Sequence, residues 1–511
     1  MKTKQKTELG DFQTPLPLAR AIARMLAGQG VSPAAVLEPT CGTGSFLLAA
    51  VDQFRGVTRA VGLDINRSYV AAARSALSTK SLPCEIELIH GDFFRTDWPS
   101  LLNTLPDPLL VVGNPPWVTN AYLGSVGSSN LPAKSNFQKH SGLDALTGKS
   151  NFDISEWMLI RLLESLSGRR AILAMLCKTA VARKVLLHAW KNGLPLEASS
   201  IRLIDAEACF NAAVDACLLV CTLSPSAHNC DCSIYEQVGA QSRTGVFGYR
   251  DGRLIANAEA YERWKHLVGA ETIRWRSGIK HDCTRIMEFS KEGTAYRNGL
   301  GELVHLEDTY LYPMLKGSKV ASGKTENPSR WMLVTQRTVG EDTSPIKSCA
   351  PMTWDYLQTH ADALDRRASS IYRKRPRFSV FGVGPYSFSP SKVAVSGFYK
   401  KLVFTEVGSH CGKPIVLDDT SYFLPCYGNQ EARYIASLFN SEVARELLSA
   451  FIFWDSKRPI TVDVLRQVDL LALATELGSE DTMRRYLSAR PEPSSISAAD
   501  APTQKILFPT R

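Results

Sequence analysis

The stretch Leu109-Leu110-Val111-Val112-Gly113 is apolar until it stops at Asn114-Pro115-Pro116-Trp117. Two prolines directly after a strand end its hydrogen-bond ladder and hold the backbone extended. The Asn114 side-chain oxygen and the Pro115 carbonyl are then aimed outward together. Two acceptors side by side suit an –NH2 group, which presents two N–H donors. Trp117 adds a flat face on which a planar base can stack. A second constellation lies upstream, where Leu37-Glu38-Pro39-Thr40-Cys41-Gly42-Thr43-Gly44 runs from a strand into a glycine-rich turn. Glycines there let the backbone approach a ligand closely. The spacing is not GxGxxG, so a dinucleotide is the poorer fit. Asp64 closes Val61-Gly62-Leu63-Asp64 and can accept from two ribose hydroxyls. In Gly91-Asp92-Phe93-Phe94, Asp92 can accept from an adenine amino group while Phe93 lies along the ring. Consecutive strand ends that finish in carboxylates and loops form the pattern of a nucleoside site on one edge of a sheet.

The elements that must position these groups alternate between residues 31 and 223. Strands are predicted at 35–38, 59–65, 85–90, 109–113, 170–176, 201–206 and 213–223, with helices at 45–54, from 66, at 153–166 and at 181–190. The last two strands have a short connection and are read as antiparallel neighbours. The fold class is therefore α/β, a doubly wound, seven-stranded Rossmann-like sheet with an antiparallel edge. Residues 118–150 show no period and read as a binding loop. Beyond Ser224, short strand-like pieces such as 310–313, 378–382 and 402–404 alternate with turns, and a helix pair covers Asn429 to Phe451. This half reads as a mixed α+β domain. From about Glu476 the chain is rich in Ser, Pro and Ala and reads as a flexible tail, 476–511.

The chain has 511 residues and a net charge of +9, from 59 Lys and Arg against 50 Asp and Glu. That excess favours a polyanionic partner without demanding one. No run approaches a membrane helix, and the N-terminus has no apolar secretory segment. Twelve scattered cysteines without a CxxC pair read as reduced, mostly buried thiols, which makes a cytoplasmic location the expectation. Cys230 and Cys232 beside His228 are weak evidence for zinc, and no metal is expected.

These motifs resemble the gamma-class N6-adenine DNA methyltransferases of restriction–modification and defence systems, in which the target-recognition domain comes last. The resemblance is specific over about residues 9–225 and looser to about 470. It implies S-adenosylmethionine as cofactor, double-stranded DNA as partner, a catalytic domain at 1–225 and a target-recognition domain at 235–470. Asp11-Phe12-Gln13-Thr14-Pro15 is similar to the family's first cofactor motif, which places Thr14 at the methionine carboxylate. The resemblance assigns Glu38, Cys41, Gly42 and Gly44 to the methionine and ribose, Asp64 to the ribose hydroxyls, and Asp92 with Phe93 to the adenine. It assigns Asn114, Pro115, Pro116 and Trp117 to the target base, and Phe210 as a second base-contacting aromatic. Trp stands at 117 where Tyr or Phe is commoner, and the turn after Phe210 lacks the basic residues some relatives carry. The implied reaction is methyl transfer to N6 of a flipped adenine, with a restriction endonuclease, if any, on a separate chain and no membrane involvement. Arg366, Arg367, Arg373, Lys374, Arg375 and Arg377 form a run without acids that attracts phosphates, and Lys457 with Arg458 lies in a similar closing segment. Two readings stay open at this point: methylation of RNA adenine or a protein glutamine, and a catalytically silent DNA-specificity subunit.

Overall fold

A computed structural model of the chain describes residues 12–78, 84–118 and 153–490. The chain divides into two compact units, Met1–Glu259 and Ala260–Arg511. The first opens with helix α1 (Leu16–Gly28), whose Ala19, Ile22, Ala23 and Leu26 recur on one face and are buried. There follow β1 (Ala35–Glu38), α2 (Ser45–Gln53), β2 (Arg59–Asp64), α3 (Arg67–Ser78), β3 (Glu85–His90), α4 (Trp98–Asn103) and β4 (Leu109–Gly113). After them come α5 (Ile154–Ser165), β5 (Ala171–Lys178), α6 (Thr179–Lys191), β6 (Leu196–Ile204), α7 (Ala206–Phe210) and β7 (Ala216–Leu223). β1 and β4 are buried along their whole length, as strands covered on both faces must be. β1 pairs in parallel with both β2 and β4, so the chain order reverses between β1 and β4. In open α/β sheets ligands bind beyond the carboxyl ends of the strands at such a reversal. Glu38 and Asn114 stand at that point.

The sheet does not stop at seven strands, nor does the first unit stop at residue 225. β7 is antiparallel to both β5 and β6 and lies between them, so it is interior and not an edge. β6 would then present an unpaired edge. Instead β8 (Asp231–Tyr235) pairs with it in parallel, and β9 (Gly245–Arg250) and β10 (Arg253–Ile255) extend the sheet to ten strands in the order β10-β9-β8-β6-β7-β5-β4-β1-β2-β3. The β9–β10 turn is Asp251-Gly252, both at positive φ (50° and 78°). Asp-Gly between short strands is a strong hairpin signal that the reading of the sequence passed over.

The second unit holds a six-stranded sheet in the order Leu303–Val304, Ala295–Asn298, Glu288–Glu292, Arg330–Leu333, Leu311–Leu315 and Val416–Leu417. A four-stranded sheet runs Arg276–Ser277, Ser421–Cys426, Ser391–Ser396 and Thr405–Val407. Helices Asn429–Phe439 and Glu442–Ser449 form the expected pair. Residues 378–382 and 402–404 are not strands; Phe378 takes a left-handed φ of 64° that breaks extension. The C-terminal stretch is ordered further than its composition suggests. Leu470–Glu476 and Glu480–Ser488 are helices, Met483 is buried, and the Tyr434 hydroxyl lies 2.9 Å from the Ser479 carbonyl it donates to. The remainder of the expected tail, 491–511, and residues 119–150 of the expected binding loop, 118–150, lie outside the described residues. The cysteines are free thiols, with Cys349 and Cys411 exposed. Among the described residues no helix is long and apolar enough to cross a membrane.

Candidate active site

The glycine-rich turn is built by carboxylates accepting from backbone N–H groups. Glu38, 3% exposed at the end of β1, accepts from Leu47 N–H at 3.0 Å in the first turn of α2. Asp64 ends β2 and accepts twice, from Gly42 N–H at 2.8 Å and Asn66 N–H at 2.7 Å. Gly44, at φ 82°, turns the chain into α2, and a β-carbon there would sit 3.2 Å from Ala73. Gly42, at φ 49°, lies so close to the Gln13 side chain that any β-carbon would collide with it. Gln13 Oε1 in turn accepts from Thr43 N–H at 3.1 Å, tying the N-terminal motif to the turn.

Burial, with the Asp64 carboxylate adding to it, raises the Glu38 carboxyl well above the ordinary range against the opposing Leu47 N–H. The folded chain therefore holds this proton at pH values where the unfolded chain has lost it, and stability falls as pH rises from the unfolded toward the folded value. Glu38→Gln keeps an acceptor for Leu47 and removes the titration. Its melting temperature should exceed that of the wild type by more at pH 7 than at pH 4, measured by calorimetry. Burial likewise pushes the Cys41 thiol up, with Glu38 and Asp64 beside it, so Cys41 is an inert wall and not a nucleophile.

Above this turn lies a cavity of about 380 Å³. Of the expected cofactor residues, Thr14, Glu38, Cys41, Gly42, Asp64, Asp92 and Phe93 line it, and Gly44 does not, its part being the turn itself. Asp92 Oδ1 accepts from Phe94 N–H at 2.9 Å, and the Phe93 ring packs on Trp98 with centroids 4.6 Å apart. Ile65, Tyr69, Ile154 and Met158 also line the cavity and were not singled out from the sequence. Ile65 carried a signal, since an apolar residue directly after a strand-ending acid is 49% exposed. Ile154 and Met158 read as ordinary core on an amphipathic helix.

Asn114 and Pro116 border the same cavity; Pro115 does not. Asn114 Nδ2 donates to the Phe12 carbonyl at 3.0 Å. A backbone carbonyl can only accept, so this bond fixes which way the amide points. Asn114 Oδ1 is buried and has no hydrogen-bond partner among the described residues. Trp117 is 5% exposed, and its ring centroid lies 5.7 Å from that of Phe12 and 5.3 Å from that of Phe210. Neither Trp117 nor Phe210 lines the cavity, and Phe210 lies on α7, not in an open turn. The two rings expected to stack on a base meet each other edge to face and both pack against Phe12. Behind them Lys178 Nζ donates to the Trp117 carbonyl at 3.1 Å and to Asp153 Oδ2 at 2.7 Å.

The basic run of the second unit separates into different roles. Arg367 is not available to a phosphate. Its guanidinium donates to the carbonyls of Leu364, His281 and Ser379 at 2.8, 3.0 and 2.8 Å and lies 3.7 Å over the Tyr372 ring. Arg377 pairs with Asp365 at 2.7 Å, and Arg366 is exposed 3.9 Å from Asp362. Arg458 donates to the Asp419 carbonyl at 3.0 Å. Arg373, Lys374, Arg375 and Lys457 are exposed. Arg367→Ala should therefore lower stability by about 1–3 kcal/mol, through buried carbonyls left unpaired, in urea unfolding. Arg373→Ala/Lys374→Ala/Arg375→Ala, on exposed side chains, should leave stability unchanged in the same measurement.

A mixed α/β sheet whose order reverses between β1 and β4, with a carboxylate-bound glycine turn after one and the Asn114 amide after the other on one cavity, is the ligand-site architecture of doubly wound α/β enzymes. Residues 1–179 match the family model described as N-6 DNA Methylase. The chain is 45% identical over 475 residues to the type II methyltransferase M.NspV of Nostoc sp., covering 92% of this chain and 98% of that protein. It belongs to this family of type II methyltransferases and is a DNA methyltransferase of a restriction–modification system. A second relative, the type II methyltransferase M.XamI of Xanthomonas campestris pv. amaranthicola, is 28% identical over 115 residues, 22% of this chain and 21% of that one. In fold, the chain is similar to the type IIL restriction–modification enzyme MmeI, solved in complex with DNA, with a TM-score of 0.51 at 13% identity over 94% of this chain and 68% of that one. Membership in this family makes DNA the substrate class.

Proposed function

We propose that the chain transfers a methyl group from S-adenosylmethionine to N6 of an adenine extruded from duplex DNA. The observation that carries this reading is Asn114 Oδ1, a buried acceptor held in place by its own amide and without a donor among the described residues. An exocyclic amine supplies that donor.

The cavity fits the cofactor. Its volume of about 380 Å³ falls within the usual range for small-molecule sites, about 300–1,000 Å³. Asp64 spends one acceptor position of each oxygen on backbone N–H groups. A carboxylate accepts from hydroxyl donors, and Asp64 lines the cavity where ribose hydroxyls would supply them. Thr14 lies at the methionine end, and Asp92 and Phe93 would hold the adenine. The bound cofactor supplies an electrophilic methyl on a sulfonium centre. The chain's own residues do the rest. Asn114 and the Pro115 carbonyl would accept from the target amine and favour a tetrahedral, more nucleophilic nitrogen, which gains the methyl as the cofactor's carbon–sulfur bond breaks and gives up one proton to solvent, while Gly42 and Pro116 line the cavity that would hold the donor. Extruding a base costs a few kcal/mol. Trp117 and Phe210 would offset that cost once they exchange their mutual contact for the base. The unit from Ala260 onward would read the site, with Arg373, Lys374, Arg375 and Lys457 on phosphates and a separate chain carrying any endonuclease. Methylation-aware sequencing of DNA treated with protein and cofactor tests this: N6-methyladenine in one sequence context is expected, and N4-methylcytosine or no modification would refute it.

A further inference from the structure

In the second unit, strands Ser391–Ser396 and Thr405–Val407 pair antiparallel, and residues 397–404 connect them. The connection is anchored at both ends. Gly397 N–H donates to the Thr420 carbonyl at 2.9 Å, and Asn440 accepts from Phe404 N–H at 3.1 Å while donating to its carbonyl at 2.6 Å. Gly397 packs so tightly that a β-carbon would lie 2.8 Å from the Tyr422 ring and 3.2 Å from the Ile460 carbonyl. The root of the connection is thereby seated beside the segment carrying Lys457 and Arg458. Between the anchors stand Phe398, 39% exposed, Tyr399, 45% exposed, and the exposed Lys400 and Lys401. Arg458 lies 4.4 Å over the Phe398 ring while its guanidinium donates to the Asp419 carbonyl. The cation thereby braces one face of the Phe398 ring.

Two adjacent exposed aromatics on a doubly anchored turn, flanked by Lys400, Lys401 and Lys457, are costly to leave in water without a partner. The partner that matches both features is a polyanion bearing flat aromatic faces. We infer that Phe398–Lys401 is a duplex-DNA contact element of the second unit, in which Tyr399 stacks on or wedges between bases and the three lysines hold the flanking phosphates. This rests on the reading of the chain as a DNA methyltransferase and adds the place where the second unit touches bases.

The test uses the full chain, with fluorescence anisotropy on a duplex containing its methylated sequence and on one lacking it, over a range of salt. Tyr399→Ala should weaken binding to the cognate duplex by about 10- to 100-fold with the salt slope unchanged, because stacking releases no counterions. Lys400→Ala/Lys401→Ala should weaken binding to both duplexes and lower the slope by about 2. Both changes are on exposed side chains, and unchanged melting temperatures establish that the variants fold. Binding by both variants within twofold of the wild type would overturn the inference while leaving the DNA methyltransferase reading intact. Loss of a self-association by Tyr399→Ala, seen in sedimentation with DNA affinity retained, would also overturn it. Absence of DNA binding by the unaltered chain would overturn both.

Discussion

Asn114→Ala is expected to slow methyl transfer by about 100- to 1,000-fold, the usual cost of removing one preorganised polar group from a reacting centre. The Phe12 carbonyl takes one end of the Asn114 amide, and the other end, on a residue that lines the cavity, has no partner among the described residues. A buried acceptor without a donor is a standing cost of about 1–3 kcal/mol. The cost is recovered when the target amine arrives. Alanine removes that recovery but leaves the Asp64 and Gln13 contacts of the glycine turn alone. Cofactor affinity, followed by tryptophan fluorescence or calorimetry, should stay within a few-fold of wild type while single-turnover transfer of labelled methyl collapses. Equal loss of cofactor binding and rate would mean that Asn114 holds the fold of the site and not the amine.

Lys178→Met should lower the single-turnover rate by about 10- to 100-fold, as sub-ångström misplacement of a reacting group does, with smaller effects on cofactor and DNA affinity. Lys178 closes β5 and joins two points that the sequence sets far apart, the Trp117 carbonyl and the Asp153 carboxylate. Asp153 Oδ1 accepts from Ser155 N–H at 3.1 Å at the start of α5, and Ile154 N–H donates to the Val118 carbonyl at 2.9 Å. Thus the chain leaves at Val118 and returns at Asp153 across one hydrogen bond, with Lys178 as the clasp. Methionine keeps the aliphatic stem and strands a carboxylate that is 8% exposed. The companion Lys178→Met/Asp153→Asn removes the stranded charge and should regain stability in urea without regaining rate, because the Trp117 carbonyl stays unheld. Recovery of both together would reduce Lys178 to a stabilising role.

What the sequence made legible were groups whose chemistry is local. Glu38, Gly42, Asp64, Asp92 and Asn114 stand at strand ends beside residues that end strands, and the sheet brings them to one cavity. Partnership between distant segments was not legible. Lys178 looks like any lysine after an apolar strand until Trp117 and Asp153 are seen beside it. Arg367 sits among five other cations and reads as one of a solvated run, yet three backbone carbonyls surround it. Arg458 likewise is seen as a ring support only through Asp419 and Phe398, far away in sequence. The outer strands β8 to β10 escaped because they are short, with Asp231, Arg250 and Arg253 at their ends, and carry no long apolar run.

The extension of the first sheet through Ile255 bears on how such enzymes can be recombined. A chimera joined near residue 225, where the apolar rhythm of the sequence changes, would strip β6 of the neighbour it pairs with at Ser200, Ile201 and Arg202 and leave a raw strand margin prone to aggregate. A graft of a foreign reading module placed after Glu259 keeps all ten strands in one piece, and is the junction at which exchange of sequence preference should preserve a soluble, active donor half.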